Sequence, residues 1–297
     1  MTVRNEVANG RRAVIVVSSH VARGSVGNRA SVFVLETLGH PVWAVPTVIL
    51  PWHPGHGRAT RIVPSAADFA SFMHDLEEAP WLGEVGAVLS GYLGDATQAA
   101  AVASLVRRVK RQNKDALYVC DPIIGDIGGL YVPKETAIAI RDELMPLADV
   151  ATPNRYELAW MTGKPLDNVE AVAEAAIDAT PPTMLVTSSP GSRPDWIANL
   201  LLTPNAAYIA EHPSIDNATK GPGDLSAALL TAWMLRRAPP EEILRRITAS
   251  VYEALVRAVA RGADELMLEA DIASITEPTA EARVVRLPRS IAGGLHR

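Results

Sequence analysis

Residues 219–237 read TKGPGDLSAALLTAWMLRR, a glycine turn feeding a run whose apolar residues recur at helical spacing. A helix that starts after glycines offers unpaired N–H groups and the positive end of a dipole, a ready place for an anion such as a terminal phosphate. Asp224 lies in that turn, where a carboxylate would repel phosphate unless it has a separate task. Accepting the proton of a hydroxyl that attacks phosphorus is such a task, and it makes Asp224 the candidate base. Taken alone, the same GxGD also reads as an N-cap aspartate after a turn.

Two further stretches carry acidic groups. DPIIGDIGGLYVP places Asp121 and Asp126 around a glycine-rich loop, and TPNRYE places Asn154 and Glu157 at the start of a helix. Carboxylates held near one another are costly unless cations or protons compensate, and oxygen ligands of this kind suit magnesium bound mostly through water and nucleotide phosphates. TPNRYE has a second reading, in which Asn154 is an N-cap and Glu157 completes a capping box. Polar residues also close the other apolar runs, at Ser18-Ser19-His20, Ser90-Gly91-Tyr92 and Thr187-Ser188. His53 and His56 have a spacing that invites a metal, but Pro54 and Gly55 between them preclude a regular helix face, so a loop is expected.

The elements that must position these groups alternate in type. AVIVVSS (13–19), VWAVPTV (42–48), GAVLSGY (86–92), ALYVCDP (116–122) and TMLVTSS (183–189) read as strands that are apolar on both faces. Between them, residues 25–39, 96–113 and 134–148 have helical spacing. This pattern implies an α/β fold, a three-layer α/β/α arrangement with a mainly parallel central sheet, in which function collects at the carboxyl ends of the strands. WIANLLLT and AAYIAEH flank Pro204-Asn205 as an antiparallel hairpin near the sheet edge. Helices beginning at Gly223 and Pro240 close a single domain over residues 1–275, and 276–297 is expected to be a tail, disordered or ordered by a partner.

With 48% hydrophobic and 21% charged residues among 297, the chain can bury a sizeable core. A net charge of -5 argues against nucleic acid as a partner. The single cysteine, Cys120, has no internal disulfide partner and sits in the apolar ALYVC as an inert thiol, which fits a cytoplasmic location. MTVRNEVANGRR lacks the apolar core of a signal peptide and no stretch reaches about 18 uninterrupted apolar residues, so no membrane association is expected. GxxxxGK[ST] and GxGxxG are both absent, which leaves GPGD as the phosphate site and disfavours a nicotinamide dehydrogenase.

In order along the chain, SSHVARGSVGN, LSGYLGD, YVCDPIIGDIGGLYVP, DVATPNRYELAWMTG, LVTSS and GPGDLSAALL resemble the pyridoxal kinases of the ribokinase-like superfamily, over nearly all of residues 13–270. The resemblance implies ATP-dependent transfer of the γ-phosphate to the 5'-hydroxymethyl group of pyridoxal, giving pyridoxal 5'-phosphate in vitamin B6 salvage, and a homodimer. It implies that Ser19 contacts the pyridine ring, that Tyr92 lies against the substrate pocket with Pro54 and Gly55 in the loop beside it, and that Asp224 is the catalytic base. Asp121, Asp126 and Glu157 resemble the acidic group around Mg2+ and the phosphates. Asn154, Thr187 and Ser188, with Gly221 and Gly223, resemble the nucleotide-phosphate contacts. Thr152 and Thr187, with Asp121, are similar to positions that hold a monovalent cation such as K+. Gly125 to Pro133 corresponds to a lid over ATP, and Ser214 and Ile215 to the wall against adenine.

Two departures stand out. Pro222 replaces the Thr or Val usual between the two glycines and removes one N–H from the expected anion site, leaving those of Gly221, Gly223 and Asp224. Pro54 stands where a threonine hydroxyl of the family's Ser-Asn-His-Thr pattern would meet the substrate, with Trp52, His53 or His56 as alternatives to line that pocket. These departures keep two other functions in view. One is a kinase for a hydroxymethylpyrimidine or a sugar; the other is a non-catalytic relative that binds pyridoxal phosphate or nucleotide.

Overall fold

The computed structural model describes residues 11–216 and 219–287. The first half contains β1 (Ala13–Val21), α1 (Asn28–Thr37), β2 (Val42–Leu50), α2 (Ala66–Glu77), β3 (Val85–Ser90), α3 (Gln98–Gln112), β4 (Leu117–Cys120) and the short β5 (Gly125–Asp126) and β6 (Gly129–Leu130). The second contains α4 (Lys134–Ala139), β7 (Val150–Ala151), α5 (Arg155–Thr162), α6 (Val169–Asp178), β8 (Thr183–Pro190), β9 (Trp196–Thr203), β10 (Ala206–Pro213), α7 (Pro222–Leu235), α8 (Pro240–Ala260), α9 (Ile272–Thr276) and β11 (Val284–Arg286).

One nine-stranded sheet runs in the order β11-β10-β9-β8-β7-β4-β3-β1-β2, parallel from β2 to β8 and antiparallel from β8 to β11. Its strands are apolar on both faces because both faces are covered. Along β1, Ile15 and Val17 pack with α2, α3 and α6 residues such as Met73, Val102 and Val172, while Val14 and Val16 pack with α1, α7 and α8 through Val34, Leu229 and Leu244. This is the expected three-layer arrangement. Beyond the carboxyl end of β1 the chain order reverses, with β2 on one side and β3 on the other, and such a switch point opens a cleft.

Several elements differ from the sequence reading. The helix expected over 134–148 is regular only in α4; it widens into a π-helical turn at Ile140–Leu144 and tightens to a 3-10 turn at Met145–Leu147, since Pro146 has no N–H to continue the ladder. Three helices, α2, α6 and the short α9, add to those anticipated. The segment expected to be a tail from 276 contributes β11, which pairs antiparallel with β10 through Val285 opposite Ile209. The remainder of that expected tail, 288–297, lies outside the described residues.

A buried amide ties the switch point together. Gln98, 1% exposed at the start of α3, accepts from Gly94 N (2.8 Å) and donates to Thr47 O (2.9 Å), while the Thr47 hydroxyl donates to Tyr92 O (2.7 Å). Gln98→Leu keeps the volume but strands the Gly94 donor and the Thr47 acceptor in the interior. We expect it to lower unfolding stability by about 1–3 kcal/mol, read from urea denaturation midpoints; a loss below roughly 0.5 kcal/mol would show that these groups find other partners.

Candidate active site

Asp224 occupies the third position of α7, a helix entered through Gly221 in the left-handed region (φ 108°). Only glycine suits Gly221, because a Cβ there would lie 2.6 Å from Ser25 O as well as at positive φ. Pro222 takes the first helical position, where an N–H would have had no intrahelical partner and proline's φ is already helical. The Leu225 N–H closes onto Gly221 O at 3.1 Å, so it is taken up by the helix and the candidate anion-facing donors are those of Gly221, Gly223 and Asp224. Around Gly223 there is open space, with no atom within 4 Å of where a Cβ would stand. Burial raises the Asp224 carboxyl to about 6, partly offset by the Gly27 N–H that faces it. The side chain still retains some access to solvent, as expected at the floor of a cleft.

Asp121 follows β4, is 6% exposed, and is pushed well above the usual carboxylate range by burial, then by the nearby charges of Glu157 and Asp224. Three carboxylates therefore share one region of low dielectric. Thr152 Oγ1 lies close enough to Asp121 to favour its charged form somewhat, yet is buried without a hydrogen bond of normal geometry. An orphaned oxygen beside a buried carboxylate is a donor set that suits a cation.

The other acidic residues are engaged with backbone. Glu157 Oε1 accepts from Ile124 N (2.7 Å) and Gly125 N (3.3 Å), and its Oε2 from Asn154 N (2.9 Å). Burial raises Glu157 to about 7 despite these donors. Asn154 accepts from Glu157 N (2.9 Å), so the capping box is present, and its amide nitrogen donates to Gly125 O (2.8 Å). Asp126 accepts from Gly128 N (2.7 Å) and from the Tyr131 hydroxyl. Asp121, Asp126 and Glu157 thus do not converge as a cage, and among the described residues no three His, Cys, Asp or Glu side chains do. What Asn154 and Glu157 hold is the root of the β5–β6 hairpin, whose tip exposes Ile127 at 87%.

The remaining predicted residues line the same edge. Ser19, nearly buried at the end of β1, touches Gly27: a Cβ on Gly27 would lie 2.4 Å from Ser19 Oγ, and Gly27 has φ 58°. Tyr92 follows β3, its N–H on Ser18 Oγ (3.2 Å). Pro54 and Gly55 form an exposed 3-10 turn, with Gly55 N donating to His53 Nδ1 (3.0 Å). Thr187 and Ser188 lie where the β8–β9 register breaks, with Ser188 at φ 56° and exposed; Thr187 bridges to Asn154. Ser214 is exposed beyond β10, its N–H on Asp195 O (2.7 Å), and Ile215 packs on the α7–α8 layer. Gly27 was missed by the sequence reading, since nothing local links it to Asp224.

Residues 81–268 match the family model described as phosphomethylpyrimidine kinase. Pyridoxal kinase PdxY of Rubrobacter xylanophilus is 36% identical over 281 residues, covering 92% of this chain and 97% of the relative. The chain belongs to the pyridoxal kinase family. Two solved structures of the pyridoxal kinase from Leishmania donovani superpose closely. One, in complex with ADP and pyridoxamine, has TM-score 0.87 at 28% identity and covers 93% of this chain and 100% of that one. The other, with ADP and pyridoxine, has TM-score 0.85 at 27% identity and covers 93% and 99%. The fold expected from the pyridoxal kinase resemblance is the fold found.

The raised Asp224 carboxyl has a consequence for stability. Its folded-state pKa of about 6 exceeds the ordinary aspartate value of 3.8, so folding favours the protonated form, and the carboxylate weighs against the fold once pH rises above the unfolded value. Asp224→Asn should therefore be more stable than wild type at pH 7.5, by about 1–2 kcal/mol given the remaining solvent access. The gap should close as pH falls toward about 4; denaturation midpoints across this range measure it, and a gap independent of pH would contradict the assignment.

Proposed function

We propose that this protein is an ATP-dependent pyridoxal kinase that phosphorylates the 5'-hydroxymethyl group of pyridoxal. The observation that carries the mechanism is Asp224 itself, a carboxylate raised to about 6 at the glycine-fed start of α7, beside open space at Gly223. At neutral pH it is largely ionised and ready to accept a proton. As the 5'-oxygen bonds to the γ-phosphorus and the bond to the β–γ bridging oxygen breaks, the hydroxyl proton passes to Asp224 and ADP departs. The N–H groups of Gly223 and Asp224, with the α7 dipole, hold the transferring phosphoryl group.

On the acceptor side Ser19 and Tyr92 orient the pyridine ring, with Pro54 and Gly55 closing over it. On the nucleotide side Thr187, Ser188 and Gly221 contact phosphate and Ser214 and Ile215 border adenine, while Asn154 acts by holding the lid root. Mg2+ would be held through Asp121, with Asp126 and Glu157 beyond it, and would neutralise charge on the phosphates. The unpartnered Thr152 oxygen, with Asp121 and Thr187, fits a monovalent cation such as K+. We also take the protein to act in the cytoplasm and to be a homodimer: β2 is an outer strand of the sheet, with Ile49 bridged to Ile62, and Ile49, Ile62, Phe72 and Trp81 expose apolar surface.

A hydroxymethylpyrimidine kinase is the second reading, favoured by the family model's description and by Pro54 in place of a hydroxyl. A panel of pyridoxal, pyridoxine, pyridoxamine, hydroxymethylpyrimidine and ribose at saturating ATP decides between them. Pyridoxal should have the highest kcat/KM; equal or faster turnover of the pyrimidine or ribose would reject the assignment. Asp224→Asn should lower kcat by about 100- to 10,000-fold with nucleotide binding retained. In wild type kcat/KM should rise with pH through about 6 as Asp224 ionises, and this limb should vanish in the variant.

A further inference from the structure

One buried carboxylate outside the phosphoryl-transfer groups joins three segments that border the acceptor pocket. Glu265 is 4% exposed. Its Oε2 accepts from Ser25 N at 2.8 Å, and its Oε1 meets His56 Nε2 at 2.7 Å. Its own backbone runs beside the turn that enters α7: Lys220 bridges to Glu265, and Leu266 N donates to Lys220 O at 3.1 Å. The packing leaves no slack, since a Cβ on Gly24, which has φ 109°, would stand 1.9 Å from Glu265 Oε2. Asp264 extends the contact outward, to Arg23 at 3.1 Å and to His56 Nδ1 at 3.7 Å.

We propose that Glu265 is a positioning residue for the acceptor side of the site, fastening the 53–57 loop and the 24–27 turn to the segment that leads into Gly221. A carboxylate this buried needs its charge and lone pairs met, and Ser25 and His56 are what meet them. His56 ends the 3-10 turn that carries Pro54 and Gly55. Ser25 lies two residues before Gly27, whose N–H faces Asp224. Releasing either partner frees one wall of the acceptor pocket, whereas Asp121, Thr187 and Ser188 on the nucleotide side share no hydrogen bond or ion pair with Glu265. The inference rests on the pyridoxal kinase reading for its kinetic form but not for its structural one.

The test compares Glu265→Gln, His56→Gln and the double variant with wild type, by steady-state kinetics and by amide hydrogen exchange. Each single change should raise the KM for pyridoxal by about 10-fold, because a displaced acceptor pocket loses orientation, while the KM for ATP stays within about two-fold. The double variant should be no worse than the more severe single, as coupled partners require. Exchange should quicken in peptides spanning 51–62 and not in those spanning 125–133. An unchanged KM for pyridoxal, single effects that multiply, or exchange that is unaltered or faster in both segments would overturn the proposal. The His56 side chain is 23% exposed, so His56→Gln carries the test should Glu265→Gln fail to fold. Wild type that does not phosphorylate pyridoxal would refute the functional reading instead, and the exchange comparison would still decide the role of Glu265.

Discussion

The cost of holding Asp121, Glu157 and Asp224 in one buried region governs the carboxyl edge of this sheet. Like charges in low dielectric must be protonated, supplied with N–H donors, or neutralised by cations. Each residue meets the demand differently. Glu157 draws three backbone N–H groups, Asp224 faces the N–H of Gly27 at the positive end of a helix, and Asp121 keeps the largest unmet share beside the unpartnered Thr152 oxygen. A ligand that brings cations with its phosphates relieves this strain where a neutral one cannot.

The same constraint explains why Glu157 serves structure first. Its two oxygens join the start of α5 to the residues that open the β5–β6 hairpin, and Asn154 adds a second tie to Gly125. The hairpin is anchored at its root by a group sensitive to local charge, while its tip, at Ile127, is free of packing. The hairpin is thus held at its root and exposed at its tip.

The alternation of apolar runs made the layered sheet legible, because strands covered on both faces have no polar face to obscure the pattern. GPGD, with the acidic stretches in order before it, marked Asp224 and Asp121 as candidates, and the structure brings the two near each other at the carboxyl edge. Other features depend on distances that sequence spacing does not encode. Ser25 and His56 lie 240 and 209 residues from Glu265, and no local signal marks a buried carboxylate that will meet them. TPNRYE supported two readings, a cap and a magnesium site, and the cap is present because the Glu157 side chain can reach its own helix start without any ligand. In 134–148 the apolar spacing was helical, but Pro146 removed the donor that regular continuation needs. The expected tail yielded β11 because an edge strand of three residues is too short for periodicity to register.

Pro222 looked damaging in the sequence and is benign in the fold. The loss of an N–H matters only where that N–H would point at the anion, and the first helical position is one where proline's fixed φ costs nothing. By stiffening the entry to α7, Pro222 reduces the conformations available to the turn before folding. Gly221 supplies the left-handed step that proline cannot, and Gly223 leaves open space beside Asp224. The division of labour among the three residues follows: one glycine turns the chain, the proline sets the helix direction, and the second glycine yields room. What the turn gives up in one hydrogen-bond donor it recovers in preorganisation of the entry to α7.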